Sequence, residues 1–349
     1  MPDARLILIT GTGRSGTSTM SGLFHHLGVE VPGPHLGAND SNPKGFYESR
    51  WSVRFHEELC SRARMHVMDS RPSAFEDVQA VIGPRDRAKL TRWVAKVGAG
   101  HDQIVVKDPR SVWTQQLWAE AAAADGRESV YISMLRPPAE TIGSRAAYYA
   151  SADEAKRRRY EIFNIARWVN NQVVSERETR SASRSFVAYA DLLTDWRAEA
   201  ERLATELGIV WPGEIAAGVE SPVDDFISPD LRRVQVTWDD LEIPAELRQI
   251  ADEVWAAVTT LRDAGGHHTE ASAAMDDLSE RYQELFRRSS AISHDAIEAR
   301  LAEYERAQAQ AQSAEPPAPA GDRRAITDVG SRELIGVLAS RARSRLRRS

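Results

Sequence analysis

Residues 11–18 read Gly11-Thr12-Gly13-Arg14-Ser15-Gly16-Thr17-Ser18. Glycines let a backbone come close to an anion, and N–H groups and hydroxyls at the start of a following helix favour negative charge. The chemistry is that of a phosphate cradle, but its charge is displaced. Gly11 and Gly16 have Walker-type spacing, yet Thr17 stands where a lysine would follow Gly16, and the cation inside the loop is Arg14. With Gly13 the same residues also satisfy G-x-G-x-x-G. A magnesium nucleoside triphosphate, a dinucleotide and some other phosphorylated donor therefore all fit this loop.

Three further clusters carry charge to the end of a strand or the start of a helix. Lys107 ends the apolar run 104–106 and is followed by Asp108, Pro109 and Arg110, so it would point toward the loop from a neighbouring strand, while Asp108 and Arg110 could pair with each other. Arg136 ends the run 130–135, two prolines suit a helix start, and Ser144 follows eight residues later, about two helical turns on. Such a pair could clamp a second phosphate away from the first loop, or serve capping and packing. Residues 42–48, Asn-Pro-Lys-Gly-Phe-Tyr-Glu, form a turn into a helix near Ser49. Glu48 is then either a dipole-compensating carboxylate or a general base for a substrate hydroxyl. His25 and His26 read as structural or surface residues, His35 and His56 as isolated, and His267 and His268 as solvated.

The elements that must position these groups alternate. Strand-like runs at 6–9, 104–106, 130–135 and 185–189 are separated by helical patterns at about 17–28, 85–98, 114–124, 138–150, 153–178 and 195–207. Alternation predicts an α/β fold, a parallel sheet covered by helices on both faces, with ligands at the carboxyl ends of the strands. Residues 11–18, 107–110 and 136–145 all fall just after a strand. We divide the chain into an α/β domain at 1–270, a helical extension at 271–312 rich in Glu, Arg, Ala and Gln, a flexible linker at 313–330 and a basic, partly amphipathic tail at 331–349. We see no internal repeat.

The 349 residues carry a net charge of −6 and one cysteine, Cys60. A single cysteine excludes an intramolecular disulfide and a cysteine-based zinc cluster. The run 6–9 is too short for a signal peptide or a membrane span, so a cytoplasmic protein is expected. The tail holds six arginines against one glutamate, which leaves an acidic body and argues against nucleic-acid binding. The tail itself suits either solvent or an anionic lipid surface at the inner membrane face.

Over roughly residues 4–210 the ensemble resembles the sulfotransferase family that uses 3′-phosphoadenosine 5′-phosphosulfate, especially its bacterial carbohydrate- and lipid-directed members. The loop 11–18 is similar to the family's 5′-phosphosulfate loop, which carries a Lys or Arg where Arg14 stands. Leu135-Arg136-Pro137-Pro138 with Ser144 resembles the 3′-phosphate motif. Val106-Lys107-Asp108-Pro109-Arg110, Asn42 to Glu48, and Tyr189-Ala190-Asp191-Leu192-Leu193 followed by Leu207-Gly208 resemble further stretches of the bacterial members.

The resemblance implies a P-loop-type sheet and sulfuryl transfer to a hydroxyl of a carbohydrate, glycolipid or other metabolite, with no metal required. It implies donor binding by Gly13, Arg14, Ser15, Gly16, Thr17, Ser18, Arg136 and Ser144, and catalysis by Glu48, Arg14 and Lys107. The histidine base of the cytosolic members is missing, since Lys107 is followed by Asp108-Pro109. Glu48 is the candidate for its place, with Asp108 behind it. The late Arg-Lys-Gly motif is also missing, and Arg232 and Arg233 are candidates to cover the 3′-phosphate. Three rivals accompany this reading: a P-loop kinase, against which Thr17 counts, a dinucleotide-binding oxidoreductase, with Glu30 near the place of its acidic residue, and a non-catalytic nucleotide-binding or scaffold protein.

Overall fold

A computed structural model describes residues 4–232 and 234–313. Strand β1 (Arg5–Thr10) runs into α1 (Thr17–His26), followed by α2 (Arg50–Arg62), α3 (Ala74–Val81) and α4 (Pro84–Gly98). Strand β2 (Gln103–Lys107) leads through a short 3₁₀ turn (Pro109–Trp113) to α5 (Gln115–Ala124). Then come β3 (Glu128–Leu135), α6 (Pro138–Tyr149), α7 (Glu154–Thr179) and β4 (Arg184–Ala188). Helices α8 (Tyr189–Thr194), α9 (Trp196–Leu207), α10 (Pro222–Phe226), α11 (Ala245–Asp263), α12 (Thr269–Ile292) and α13 (His294–Ser313) complete the described chain.

The four strands form one parallel sheet in the order β2-β1-β3-β4. In β1 side chains alternate between faces. Ile7 and Ile9 join a core with α1 and α9, whereas Leu6 and Leu8 join one with α4 and α5. Both faces are thus covered, as the uninterrupted apolar runs predicted. A third core packs α6, α7, α11 and α12 against Leu135 and Phe186.

Two expectations change here. The first compact unit extends to Arg288, and Ala271, Met275, Leu278 and Tyr282 of α12 are buried in its core. The break therefore falls beyond 270, because the apolar residues of 271–282 repeat at helical spacing and cover α7 and α11. Helix α11 was not anticipated. The second unit, from Ser289, is described only through α13. The linker beyond Ser313, the basic tail and Arg233 lie outside the described residues.

The topology also bears on the dinucleotide alternative. In that fold the strand after the first helix lies beside β1. Here β2 occupies that position, and Glu30 only bridges the outer edge of β2 at Ile104. A strand distant in sequence thus stands between β1 and the segment that follows α1.

Candidate active site

Gly16 stands at the N-cap of α1 with φ 97°, and Gly11 has φ 136°. A side chain at Gly16 would put its Cβ 2.2 Å from the Tyr189 ring, and one at Gly11 would meet the Met134 carbonyl at 2.9 Å. Both glycines are therefore required by the turn that opens the first N–H groups of α1, which have no acceptor within the helix. Ser15 braces this turn: its N–H donates to the Thr12 carbonyl at 3.0 Å and its side chain is fully buried. Of the residues expected at the donor site, Ser15 is the one that does not line the cleft they share. Gly13, Arg14, Gly16, Thr17, Ser18, Glu48, Lys107, Arg136 and Ser144 all line one cleft of about 310 Å³ at the carboxyl end of the sheet.

Lys107 ends β2 and is buried. Its Nζ donates to Ser18 Oγ at 3.0 Å, to the Phe46 carbonyl at 3.3 Å and to Glu48 Oε1 at 2.5 Å. The second oxygen of Glu48 faces Arg110 Nη1 at 3.6 Å. Glu48 reaches this place because Ser49 caps α2, accepting from the Trp51 N–H at 3.3 Å. The preceding turn is also bent back through Gly45 and Tyr47, both at positive φ. The carboxylate is thus buried at the cleft wall between two cations.

Arg14 also has a positive φ, 80°, a strained backbone for a residue with a side chain. It is held on all sides. Its Nε donates to Ser144 Oγ at 3.2 Å and its Nη1 to the Ser41 carbonyl at 2.7 Å. The guanidinium lies 4.7 Å over the Tyr148 ring, and the Arg14 carbonyl accepts from Arg136 Nη1 at 3.1 Å. The sequence spacing placed Arg14 and Ser144 at two separated anion sites; the structure brings them into contact. Arg136 also donates to the Val234 carbonyl at 2.9 Å and to Glu140 at 3.4 Å. Arg232 pairs with the same Glu140, so it braces Arg136 and does not line the cleft.

Sequence reasoning missed two groups. Arg145 lines the cleft beside Gly13, its Nε donating to Asn164 Oδ1 at 3.1 Å. Its position directly after Ser144 was the available signal. His56 is not isolated: it is buried, with Nδ1 donating to Asp108 Oδ2 at 2.8 Å. Asp108 is fully buried, its other oxygen taken by the Arg110 N–H and Nη1, each at 2.9 Å. Burial alone would raise the Asp108 carboxyl, but the His56 and Arg110 contacts outweigh it and hold it below the usual carboxylate range. Because Asp108 faces inward with both oxygens engaged, it is not a second candidate base at the cleft.

His35 is also engaged, with Nε2 2.9 Å from the Val31 carbonyl. His25 and His26 surround Tyr47, whose hydroxyl lies 3.3 Å from His26 Nε2. Burial lowers both histidines below their ordinary value.

The cleft sets five cationic side chains, Arg14, Lys44, Lys107, Arg136 and Arg145, against the single carboxylate of Glu48. Such a wall suits a ligand bearing several negative charges. Among the described residues no group of His, Cys, Asp and Glu side chains is placed to hold a metal ion, and no helix is long and apolar enough to cross a membrane.

A sulfotransferase family model matches residues 7–213. No curated protein matches the chain. Among solved structures it is similar to the sulfotransferase domain from the Synechococcus PCC 7002 olefin synthase, at 18% identity and a TM-score of 0.41, over 74% of this chain and 95% of that one. It is also similar to the sulfotransferase domain from the curacin biosynthetic pathway, at 14% identity and a TM-score of 0.39, over 74% of this chain and 98% of that one.

Proposed function

Since the chain belongs to the sulfotransferase family, we propose that this enzyme moves a sulfuryl group from 3′-phosphoadenosine 5′-phosphosulfate to a hydroxyl of a carbohydrate, glycolipid or other metabolite. The observation that carries the reading is the convergence of a helix-start anion cradle, Lys107 and the Arg14–Arg136–Ser144 cluster on one cationic cleft. A donor with phosphate groups at both ends of its ribose fits such a wall.

In this reading the acceptor oxygen attacks sulfur while the bond from sulfur to the 5′-phosphate oxygen breaks. The bonding pair leaves with adenosine 3′,5′-bisphosphate, and the acceptor proton passes to Glu48. Backbone N–H groups at the start of α1 hold the 5′-phosphate, with Thr17 and Ser18 as hydroxyl donors. Arg136 and Ser144 hold the 3′-phosphate. Lys107 turns from Glu48 to the charge growing on the bridging oxygen. Arg14, already on Ser144, reaches from the 3′-phosphate side toward the transferring group. Positioning and preorganised charge supply the catalysis.

The exposed Tyr148 and Tyr149 at the cleft suit stacking against an acceptor ring. The basic tail at 331–349 would bring the enzyme to anionic lipid, which favours a glycolipid among the acceptors. Thermal shift with adenosine 3′,5′-bisphosphate, magnesium ATP and NAD separates the candidate ligands: stabilisation by the bisphosphate alone is expected, and none from it would sink the donor assignment. Labelled donor with a panel of sugar and lipid acceptors then identifies the acceptor.

A further inference from the structure

We infer that Arg110, locked in place by Asp108 and His56, is a positioning residue for the Glu48 carboxylate. The inference rests on Glu48 being the group that takes the acceptor proton.

The difficulty it resolves lies in the Lys107–Glu48 pair. Lys107 Nζ sits on Glu48 Oε1 at 2.5 Å, yet sulfuryl transfer needs that ammonium on the departing oxygen. When Lys107 turns away, Glu48 loses a hydrogen-bonded cation while still buried, and a buried carboxylate left alone is costly and free to rotate. Arg110 is the second cation beside it, with Nη1 at 3.6 Å from Oε2. It faces the oxygen that Lys107 does not use.

Arg110 cannot follow Lys107, because it is anchored from behind. Asp108 Oδ1 accepts both the Arg110 backbone N–H and Nη1, and Asp108 caps the 3₁₀ turn Pro109–Trp113. Asp108 is held in turn by His56 Nδ1 at 2.8 Å. The direction of that bond is fixed by Trp118. Its indole Nε1–H can only donate, and it donates to His56 Nε2 at 3.0 Å. Nε2 is therefore an acceptor here, and Nδ1 aims its N–H at Asp108. The order Trp118, His56, Asp108, Arg110, Glu48 runs from the core to the cleft wall, and of these five Glu48 is the residue that lines the cleft.

The test uses the full chain with water as the acceptor, following release of adenosine 3′,5′-bisphosphate from the donor. Arg110→Gln is expected to lower kcat by up to about 100-fold, as a small misplacement of a catalytic group does, with the donor KM unchanged. Arg110→Lys recovers part of the loss.

In the Glu48→Gln/Arg110→Gln double variant kcat is no lower than in Glu48→Gln alone. A double variant slowed by the full additional factor of Arg110→Gln, or a rise in donor KM with kcat intact, overturns the positioning role. Wild-type chain that turns over no donor with water or with any acceptor of the sugar and lipid panel overturns the sulfuryl-transfer reading instead, and Glu48→Gln at wild-type rate overturns the base assignment, so the three failures are distinct.

Discussion

Arg14 Nε donates to Ser144 Oγ at 3.2 Å across 130 positions of sequence. This one contact ties the loop between β1 and α1 to the second turn of α6, so the two elements proposed to bind the donor's anions share a guanidinium. The φ of 80° at Arg14 is one that glycine adopts without strain, which makes Arg14→Gly a clean removal of the side chain. Arg14→Gly and Ser144→Ala should each weaken adenosine 3′,5′-bisphosphate binding by about tenfold, the size of a charge-assisted hydrogen bond of about 1.5 kcal/mol. Because the two groups touch, the double variant should lose less than the product of the two factors. Calorimetric titration of the four proteins measures the coupling; Arg14→Gly binding as tightly as wild type would remove Arg14 from the donor site.

Glu48→Gln keeps the shape of the side chain and removes its basicity. If the carboxylate takes the acceptor proton, donor turnover falls by about 100- to 10,000-fold, while the bisphosphate dissociation constant changes by no more than a few-fold. The amide still accepts from Lys107, so the wall of the cleft is preserved. A variant with near-normal turnover rejects Glu48 as base.

Two of the three glycines of the loop differ in kind. At Gly16 a Cβ would lie 2.2 Å from the Tyr189 ring on a backbone with φ 97°, whereas at Gly13 it would meet the movable end of Arg145 at 2.7 Å. Gly16→Ala should therefore destabilise the fold by at least about 1–3 kcal/mol, from backbone strain and overpacking. Gly13→Ala should fold close to normally and show its effect in ligand binding. Melting curves with and without adenosine 3′,5′-bisphosphate compare the two; equal melting temperatures for both variants would contradict the packing argument.

What could be read in the chain was local. The glycine loop, Lys107 at a strand end and the eight-residue step from Arg136 to Ser144 each lie within one strand–turn–helix unit, where period and turn chemistry suffice. The contacts that give these residues their meaning are long-range. His56 meets Asp108 and Lys107 meets Glu48 only because α2 and its preceding turn pack against the end of β2. A lone histidine on an amphipathic helix gives no sign of such a partner. Helix α12 was misjudged for a related reason. Its surface carries Asp, Glu and Arg, and the few buried residues, Met275, Leu278 and Tyr282, are easily outvoted by composition.

The arginines of residues 331–349 carry a prediction from sequence alone. If the tail reaches anionic lipid, full-length protein pellets with vesicles containing phosphatidylserine, and a chain ending at residue 321 stays in the supernatant. Each arginine near the surface contributes about 1 kcal/mol at low salt, so the binding should weaken steeply as salt is added. Equal pelleting of both chains would place any lipid contact elsewhere.

Asp108 links the site to acid stability. Its carboxyl is held below the usual carboxylate range in the folded chain, so the unfolded chain takes up a proton at a pH where the folded one does not. Stability from this group is therefore complete above the ordinary carboxylate value and drains away as pH falls through the lower, folded value. Asp108→Asn cannot titrate. It also takes from Arg110 its hydrogen-bonded carboxylate, leaving Glu48 at 3.6 Å and Glu57 at 3.4 Å, a loss of up to about 3–5 kcal/mol for a pair broken on one side. Melting temperatures of wild type and variant should then differ most near neutrality and converge as acid is added. A difference that stays constant down to strongly acidic pH would show that Asp108 is not charged in the folded protein, and with it the anchoring of Arg110 beside Glu48 would fail.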